Sequence, residues 1–144
     1  LMGEYILGKT VDGAVSDRVV TAPPEMRIEK AAKIMVSSGF RRLPVVKDNY
    51  VCGILTATDI MRYLGNGDAF KKLVTGHVDE ALSAPISGIM RNNIITTGPT
   101  TSLSEASRLM HQNKIGSLPV IKDGELVGII TERDMLYAAG EMKR

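Results

Sequence analysis

Hydrophobic positions along this chain change from helical to strand-like spacing, and they do so twice in the same order. In the first half, helical spacing gives one apolar face, carried by Ile28, Ala31, Ile34, Met35 and Ser38. Two β-rich runs follow, Leu43–Lys47 and Tyr50–Thr56, and the Asp48-Asn49 pair between them is typical of a two-residue hairpin with positive φ. A short helix, Thr58–Leu64, completes the pattern.

The second half repeats this order. Its first helix face consists of Leu103, Ala106, Leu109, Met110 and Asn113, with Ser102 or Ser104 as the cap. The strands Leu118–Lys122 and Glu125–Thr131 flank Asp123-Gly124, and a helix over Glu132–Ala139 follows. A short β-branched strand also precedes each first helix, Arg18–Thr21 or Asn93–Thr97, stopped by Pro23-Pro24 or Gly98-Pro99. Each half therefore predicts a β-α-β-β-α unit.

The two halves are copies of one sequence. Residues 19–64 align with residues 94–139 without a gap at an offset of 75, and 13 of the 46 aligned positions are identical. The similarity extends upstream, where Val11, Gly13 and Val15 match Ile86, Gly88 and Met90. We assign repeat 1 to residues 11–64, a polar connector to 65–85 and repeat 2 to 86–139. A repeat of this length predicts two supersecondary units packed together.

Composition places the chain among soluble globular proteins with an aliphatic core. It has 144 residues, of which 44% are hydrophobic, 24% charged and only 4% aromatic. The net charge of +2 is too small to predict nucleic-acid binding by field alone. No apolar stretch reaches 18 residues, and residues 1–9 do not resemble a signal peptide. Cys52, the single cysteine, is predicted to be a buried small hydrophobe, so we expect a cytoplasmic protein.

The polar identities between the copies are the candidates for chemistry. Thr56 with Asp59, and Thr131 with Asp134, lie where a buried strand becomes a helix. Free backbone N–H groups and the positive end of the helix dipole favour a phosphate at such a position. The Thr hydroxyl donates to the same anion, and the two Asp oxygens match the donors of a ribose cis-diol. The combination suits a ribonucleotide, although a Thr-x-x-Asp sequence is also a capping box.

The ordered set of Leu-Pro-Val, hairpin and Gly-Ile-aliphatic-Thr-x-x-Asp, present twice, resembles a tandem pair of cystathionine β-synthase (CBS) domains, or Bateman module. The resemblance covers about residues 11–139. It implies an α+β fold in which two repeats are related by a pseudo-twofold axis, their sheets pack together, and two clefts hold AMP, ADP, ATP or S-adenosylmethionine. It further implies a standalone regulatory protein that is not an enzyme, forms a homodimer through its helices and signals to an effector protein.

The resemblance also implies which residues line the clefts. The Asp of each motif binds ribose and the Thr helps to hold phosphate. Adenine lies among the first strand and the residues around Leu-Pro-Val: Thr21, Phe40, Arg41, Arg42 and Pro44 in repeat 1, and Thr96, Ile115, Gly116, Ser117 and Pro119 in repeat 2. If each cleft combines both repeats, the first group faces Thr131 and Asp134, and the second faces Thr56 and Asp59.

The copies differ at charged positions of this predicted site. Arg41-Arg42 stand where repeat 2 has Gly116-Ser117, and Arg133 stands where repeat 1 has Thr58. Members of the family that sense nucleotides place a basic pair before Leu-Pro-Val, so these arginines are candidates for phosphate contacts. Solvated surface arginines are the alternative interpretation.

The sequence thus predicts a regulatory module that binds adenine nucleotides, with no cofactor and no catalytic residues. S-adenosylmethionine is an alternative ligand. Two further alternatives are a scaffold with empty clefts and a nucleic-acid-associated module, although no basic and aromatic stripe supports the latter. His77 and His111 have no partners at ligand spacing, so no metal site is predicted.

Overall fold

The computed structural model describes residues 10–15 and 19–140 of the chain. Its strands are β1 Arg42–Lys47, β2 Tyr50–Thr56, β3 Ser117–Lys122 and β4 Glu125–Thr131. Its α-helices are α1 Ile28–Ser38, α2 Ala57–Leu64, α3 Gly67–Val74, α4 Val78–Leu82, α5 Leu103–Asn113 and α6 Glu132–Gly140. The predicted mixed fold and both hairpins are confirmed: β1 pairs with β2, and β3 with β4, in two antiparallel sheets.

Both hairpin turns have the positive φ angles that their sequences predict. Asp48 and Asn49 have φ of 52° and 68°, and Asp123 and Gly124 have φ of 53° and 81°. Residues with φ above zero at both central positions match the twist of antiparallel strands, which is why Asp, Asn and Gly are favoured there. The turns therefore set the register that aligns the two ends of each hairpin.

The predicted first strand of each copy is reduced to a single parallel bridge. Arg18 lies outside the described residues, and neither 19–21 nor 93–97 forms a strand. Instead Ala22 bridges Val45, and Thr97 bridges Val120. The Pro-Pro and Gly-Pro pairs follow each bridge directly, and proline lacks the N–H that a longer ladder would need.

The chain divides into two compact units whose boundaries differ from those of the sequence repeats. A central unit comprises Val20–Ile94, and a terminal unit contains the described residues 10–15, 19 and 95–140. The first residues of each repeat pack with the other copy. In the terminal unit, the Val11 N–H donates to the Thr101 carbonyl oxygen at 2.8 Å. In the central unit, the Ile86 N–H donates to the Met26 carbonyl oxygen at 2.8 Å.

Each unit has its own aliphatic core. Fully buried residues of the central unit include Ile28, Leu43, Val45, Leu55 and Ile86. The equivalent residues form the core of the terminal unit: Val11, Leu103, Leu118, Val120 and Ile130. The periodic pattern of the sequence therefore locates both cores.

Residues 65–85, predicted as a weakly helical connector, form α3 and α4 within the central unit. Ala69 and Ala81 are buried, and the Tyr63 hydroxyl donates to the Ala81 carbonyl oxygen at 2.7 Å. The connector is thus attached to α2 through both packing and a hydrogen bond.

The predicted burial of Cys52 is wrong, because it lies at a β-bulge. Val45 pairs with Gly53 and Val46 pairs with Val51, which leaves Cys52 without a partner in the ladder and only partly buried. Val127, the equivalent residue, is at a second bulge and is 50% exposed. A bulge inserts one extra residue and turns the strand locally, so the alternation of buried and exposed residues is interrupted.

Gly53 is required by a close approach of backbone. The Ile54 N–H donates to the Arg91 carbonyl oxygen at 3.0 Å, and the Arg91 N–H donates back to Ile54 at 2.9 Å. A Cβ on Gly53 would lie 2.8 Å from the Arg91 carbonyl oxygen and 2.7 Å from the Met90 sulfur. The glycine therefore lets the N-terminal segment of repeat 2 lie against β2.

We expect Gly53→Ala to lower the free energy of unfolding by about 1–3 kcal/mol, because the added methyl group overpacks a backbone contact. Gly88→Ala is the matched control, since nothing lies within 4 Å of its Cβ position, and it should change stability by less than about 0.5 kcal/mol. Urea denaturation measures both. Equal stability of the two variants would show that Arg91 does not approach Gly53.

Candidate functional site

Both Thr-x-x-Asp motifs lie at the end of a strand and the start of a helix, as predicted. In the central unit, Thr56 ends β2 and caps α2. The Thr56 N–H donates to Oδ2 of Asp59 at 2.9 Å, and the Asp59 N–H donates to the Thr56 hydroxyl oxygen at 3.2 Å. This reciprocal pair is a complete capping box, which satisfies two backbone donors that the helix leaves open.

The second carboxylate oxygen of Asp59 binds arginine side chains. Arg62 Nη1 donates to Oδ1 at 3.1 Å, and Arg91 Nε lies 3.6 Å from the same oxygen. The Asp59 side chain is 1% exposed, whereas Arg62 and Arg91 remain 56% and 52% exposed. A buried carboxylate is stable only when it is paired and hydrogen-bonded, and these two guanidinium groups provide the pairing.

The equivalent motif of the terminal unit has the same cap, but its second carboxylate oxygen has a different environment. The Thr131 N–H and hydroxyl donate to Oδ2 of Asp134 at 2.8 and 3.0 Å, and the Asp134 N–H donates to the Thr131 hydroxyl oxygen at 3.2 Å. Both donors meet Oδ2. Oδ1 of Asp134 receives no hydrogen bond from any described residue, and the residue is only partly buried.

Two arginines beside Asp59 have no counterpart in the sequence of the second copy. At the repeat offset of 75, Arg62 corresponds to Tyr137, and Arg91 corresponds to Ser16, which lies outside the described residues. Sequence reasoning missed both arginines. Arg62 follows Asp59 by three positions, the spacing of neighbours on a helix, so that signal was available. Arg91 comes from a segment distant in the chain, and no local pattern identifies it.

The predicted residues of repeat 1 lie near the central junction. Arg42 pairs with Thr56 across the hairpin, and the Arg41 carbonyl oxygen accepts a hydrogen bond from the Ala57 N–H at 2.8 Å. The basic pair therefore adjoins the start of α2. The other three members of this group differ in exposure: Thr21 is exposed, Phe40 is partly buried and Pro44 is buried.

The predicted residues of repeat 2 have the same arrangement in the terminal unit. Ser117 pairs with Thr131, and the Gly116 carbonyl oxygen accepts a hydrogen bond from the Glu132 N–H at 3.0 Å. Ser117 and Pro119 are buried, Ile115 and Gly116 are partly buried, and Thr96 and Arg133 are exposed. The sequence analysis predicted that each group faces the Thr-x-x-Asp motif of the other repeat. That arrangement would join residues of different units, and it stays a prediction.

Thr97 is a polar residue that the sequence analysis did not select. It is 7% exposed, and its hydroxyl has no hydrogen-bond partner in the described part of the chain. The neighbouring Thr96, which was selected, is exposed instead. Thr97 matches Ala22 of the first copy, so the buried hydroxyl is particular to the terminal unit.

A groove of about 890 Å³ lies on the terminal unit between α5 and α6. Its walls are largely apolar and include Met110, Ile115, Met135, Leu136 and Ala139. His111, Lys114 and Glu132 add polar groups. Within residues 10–15 and 19–140, no cluster of three or more His, Cys, Asp or Glu side chains could hold a metal ion. No helix among the same residues is long and apolar enough to span a membrane.

Comparison with known proteins identifies several relatives. The chain is 37% identical over 129 residues to protein MJ1225 of Methanocaldococcus jannaschii, a match that covers 89% of this chain and 46% of MJ1225. The crystal structure of MJ1225 matches with a TM-score of 0.86 and covers 94% of this chain and 49% of that one. The chain therefore spans about half the length of this relative.

Two solved structures of similar size contain ligands. The CBS domain pair of protein MJ0100, in complex with 5'-methylthioadenosine and S-adenosyl-L-methionine, is 27% identical with a TM-score of 0.75. The match covers 94% of this chain and 98% of that one. CBSX2 in complex with AMP is 25% identical with a TM-score of 0.77, and the match covers 95% of this chain and all of CBSX2.

The CBS domain family matches the chain twice, over residues 11–66 and 86–141. These ranges contain both hairpins, both capping boxes and the segments Val11–Gly13 and Ile86–Gly88. The family match and the solved folds agree with the resemblance carried by the repeated motifs. The chain belongs to the CBS domain family and contains two copies of the domain.

Proposed function

We propose that this CBS domain pair is a regulatory module that binds adenosine-containing ligands, with AMP, ADP or ATP as its ligands and no catalysis of its own. The observation that carries the proposal is the Asp134 carboxylate. One oxygen is held by the Thr131 backbone, while the other receives no hydrogen bond from a described residue. A partly buried acceptor held in this way matches the hydroxyl donors of a ribose.

The ligands of the two related structures support the same chemistry. AMP, 5'-methylthioadenosine and S-adenosyl-L-methionine share adenosine and differ at the 5' position of the ribose. A site that binds the ribose diol would accept any of them, and the groups around the 5' substituent would select among them. Binding would then change the conformation of the pair and its interaction with a partner protein.

We expect adenosine ligands to raise the melting temperature in a concentration-dependent manner, because a ligand that binds only the native state adds RT ln(1 + [L]/Kd) to stability. At a concentration of 100 Kd this amounts to about 2.7 kcal/mol. Thermal denaturation with AMP, ADP, ATP, 5'-methylthioadenosine and S-adenosylmethionine measures the effect, with GMP as the control. If no adenosine ligand shifts the transition at millimolar concentration, the chain is a scaffold.

Arg41 and Arg42 are proposed to contact phosphate, because Arg41 is exposed and Arg42 is only partly buried, and a guanidinium forms charge-assisted hydrogen bonds with phosphate. Arg133, exposed in the first turn of α6, is a further candidate. This proposal favours AMP, ADP and ATP over S-adenosylmethionine, whose 5' substituent is cationic.

Arg42→Ala should weaken AMP binding by about 1.5–3 kcal/mol, the range for hydrogen bonds to charged groups, and leave adenosine binding unchanged. Lys47→Ala, at the other end of β1, is the matched control and should affect neither ligand. Isothermal titration calorimetry measures the binding of AMP and of adenosine to both variants. An equal loss for AMP and adenosine would mean that Arg42 supports packing and does not contact phosphate.

A homodimer through the helices is a second part of the proposal. Val36 of α1, Met61 of α2 and Leu136 of α6 are 85%, 68% and 73% exposed, and Met61 and Leu136 are equivalent positions of the two copies. Exposed apolar side chains at equivalent positions, together with the groove beside Leu136, suit a symmetric interface with a second copy of the chain.

Leu136→Asp should shift the chain from dimer to monomer, because a carboxylate in an apolar interface is desolvated without a partner. Val127→Asp is the control, since Val127 is 50% exposed but lies on β4 and not on a helix. Sedimentation velocity of both variants and of the wild type gives the molecular mass. A monomeric wild type, or a dimeric Leu136→Asp variant, would contradict the proposed interface.

A further inference from the structure

The two Thr-x-x-Asp motifs are equal in sequence but differ in the acceptor that they offer to a ligand. In each motif, Oδ2 of the aspartate is engaged by the backbone N–H of the threonine, at 2.9 Å for Thr56 and 2.8 Å for Thr131. Only Oδ1 remains for an outside donor. Its availability therefore determines whether a motif can receive a ribose hydroxyl.

In the first motif this oxygen is already occupied and enclosed. Arg62 Nη1 donates to Oδ1 of Asp59 at 3.1 Å, Arg91 Nε lies at 3.6 Å, and the Asp59 side chain is 1% exposed. A ribose diol would have to displace at least one cation from a buried carboxylate. A neutral hydroxyl replaces a charge-assisted hydrogen bond with a weaker one, so this exchange is unfavourable.

In the second motif the same oxygen has no such competitor among the described residues. Both donors to the Asp134 carboxylate meet Oδ2, and the residue is only partly buried. Tyr137 stands in the place of Arg62, and a phenol carries no positive charge at neutral pH. With respect to the described residues, a diol can therefore approach Oδ1 of Asp134 without breaking an ion pair.

We infer that the two motifs have divided roles: Asp134 binds the ribose of the ligand, whereas Arg62 and Arg91 hold Asp59 in a structural ion-pair cluster that excludes the ribose. Arg62 and Arg91 are thus specificity-determining residues that act through Asp59. The inference rests on the proposed function, in that it assigns the adenosine ligand to one of the two motifs.

The test compares Asp59→Asn with Asp134→Asn, which make the same change in the same motif. The amide oxygen of Asn can still accept from the threonine N–H, so the amide nitrogen takes the place of Oδ1. At position 134 this removes the acceptor for the ribose, and AMP affinity should fall roughly 10- to 100-fold, as for a lost hydrogen bond to a charged group. At position 59 the amide nitrogen faces two guanidinium groups, so stability should fall while AMP affinity stays within about threefold.

Isothermal titration with AMP and urea denaturation without ligand provide the two measurements. An AMP affinity that falls as far in Asp59→Asn as in Asp134→Asn overturns the inference while the proposed function stands. A wild type that binds no AMP and no other adenosine ligand overturns the proposed function as well, so the wild-type titration separates the two failures. A larger loss of stability for Asp134→Asn than for Asp59→Asn also overturns the assigned roles.

Should Asp59→Asn not fold, the double variant Arg62→Gln, Arg91→Gln keeps the inference testable. It removes both cations and retains the Asp59 cap. The dissociation constant for AMP should stay within about threefold of the wild-type value. Loss of AMP binding in this variant would show that the arginines contact the ligand directly and would overturn the inference.

Discussion

Two backbone N–H groups at each strand-to-helix junction must be satisfied, and the arrangement of both candidate sites depends on how this is done. The first turn of a helix leaves its N–H groups without carbonyl partners, and a buried donor without a partner costs about 1–3 kcal/mol. In both copies the Thr hydroxyl accepts from the Asp N–H, and Oδ2 of the Asp accepts from the Thr N–H. The cap therefore fixes the position of the carboxylate and leaves a single oxygen for any other purpose.

Capping therefore does not prevent the ligand binding that is proposed for the same side chain. A carboxylate has two oxygens, and the cap engages only one of them. An arginine binds Oδ1 in the first copy, and no described residue does so in the second. Capping is therefore compatible with the proposed ribose contact in both motifs, and at Asp59 it is the arginines that oppose this contact.

Most of the fold could be predicted from sequence because its signals are local. The helix faces, the Asp48-Asn49 turn and the Thr56 cap each depend on residues within a few positions of one another. The bulge at Cys52 could not be predicted, since it depends on which residue of β1 pairs with Gly53. The reduction of each first strand to one bridge could not be predicted either, because the prolines mark where such a segment ends but not how many of its residues pair with a neighbouring strand.

Only part of the candidate site could be predicted, because some of its contacts come from residues that are distant in the sequence. Repetition identified the Thr and Asp positions, but the environment of Asp59 depends on Arg91, which belongs to the N-terminal segment of repeat 2 and packs in the central unit. An alignment of the two repeats cannot reveal a contact between one copy and the N-terminal segment of the other. The unlike exposure of Thr96 and Thr97 has a similar origin, because the parallel bridge to Val120 fixes which of the two is buried.

The ion pair between Asp59 and Arg91 depends on a glycine, Gly53, which carries no charge itself. Gly53 permits the Arg91 backbone to pair with Ile54, and this pairing brings the Arg91 guanidinium to within 3.6 Å of the carboxylate. Because both guanidinium groups keep about half of their surface in water, the desolvation cost falls mainly on Asp59. The glycine is also present in the second copy as Gly128, where Tyr137 stands in the place of Arg62. The cap is kept in both copies, so the sequence difference three residues after the aspartate changes what surrounds Oδ1 without changing what Oδ2 caps.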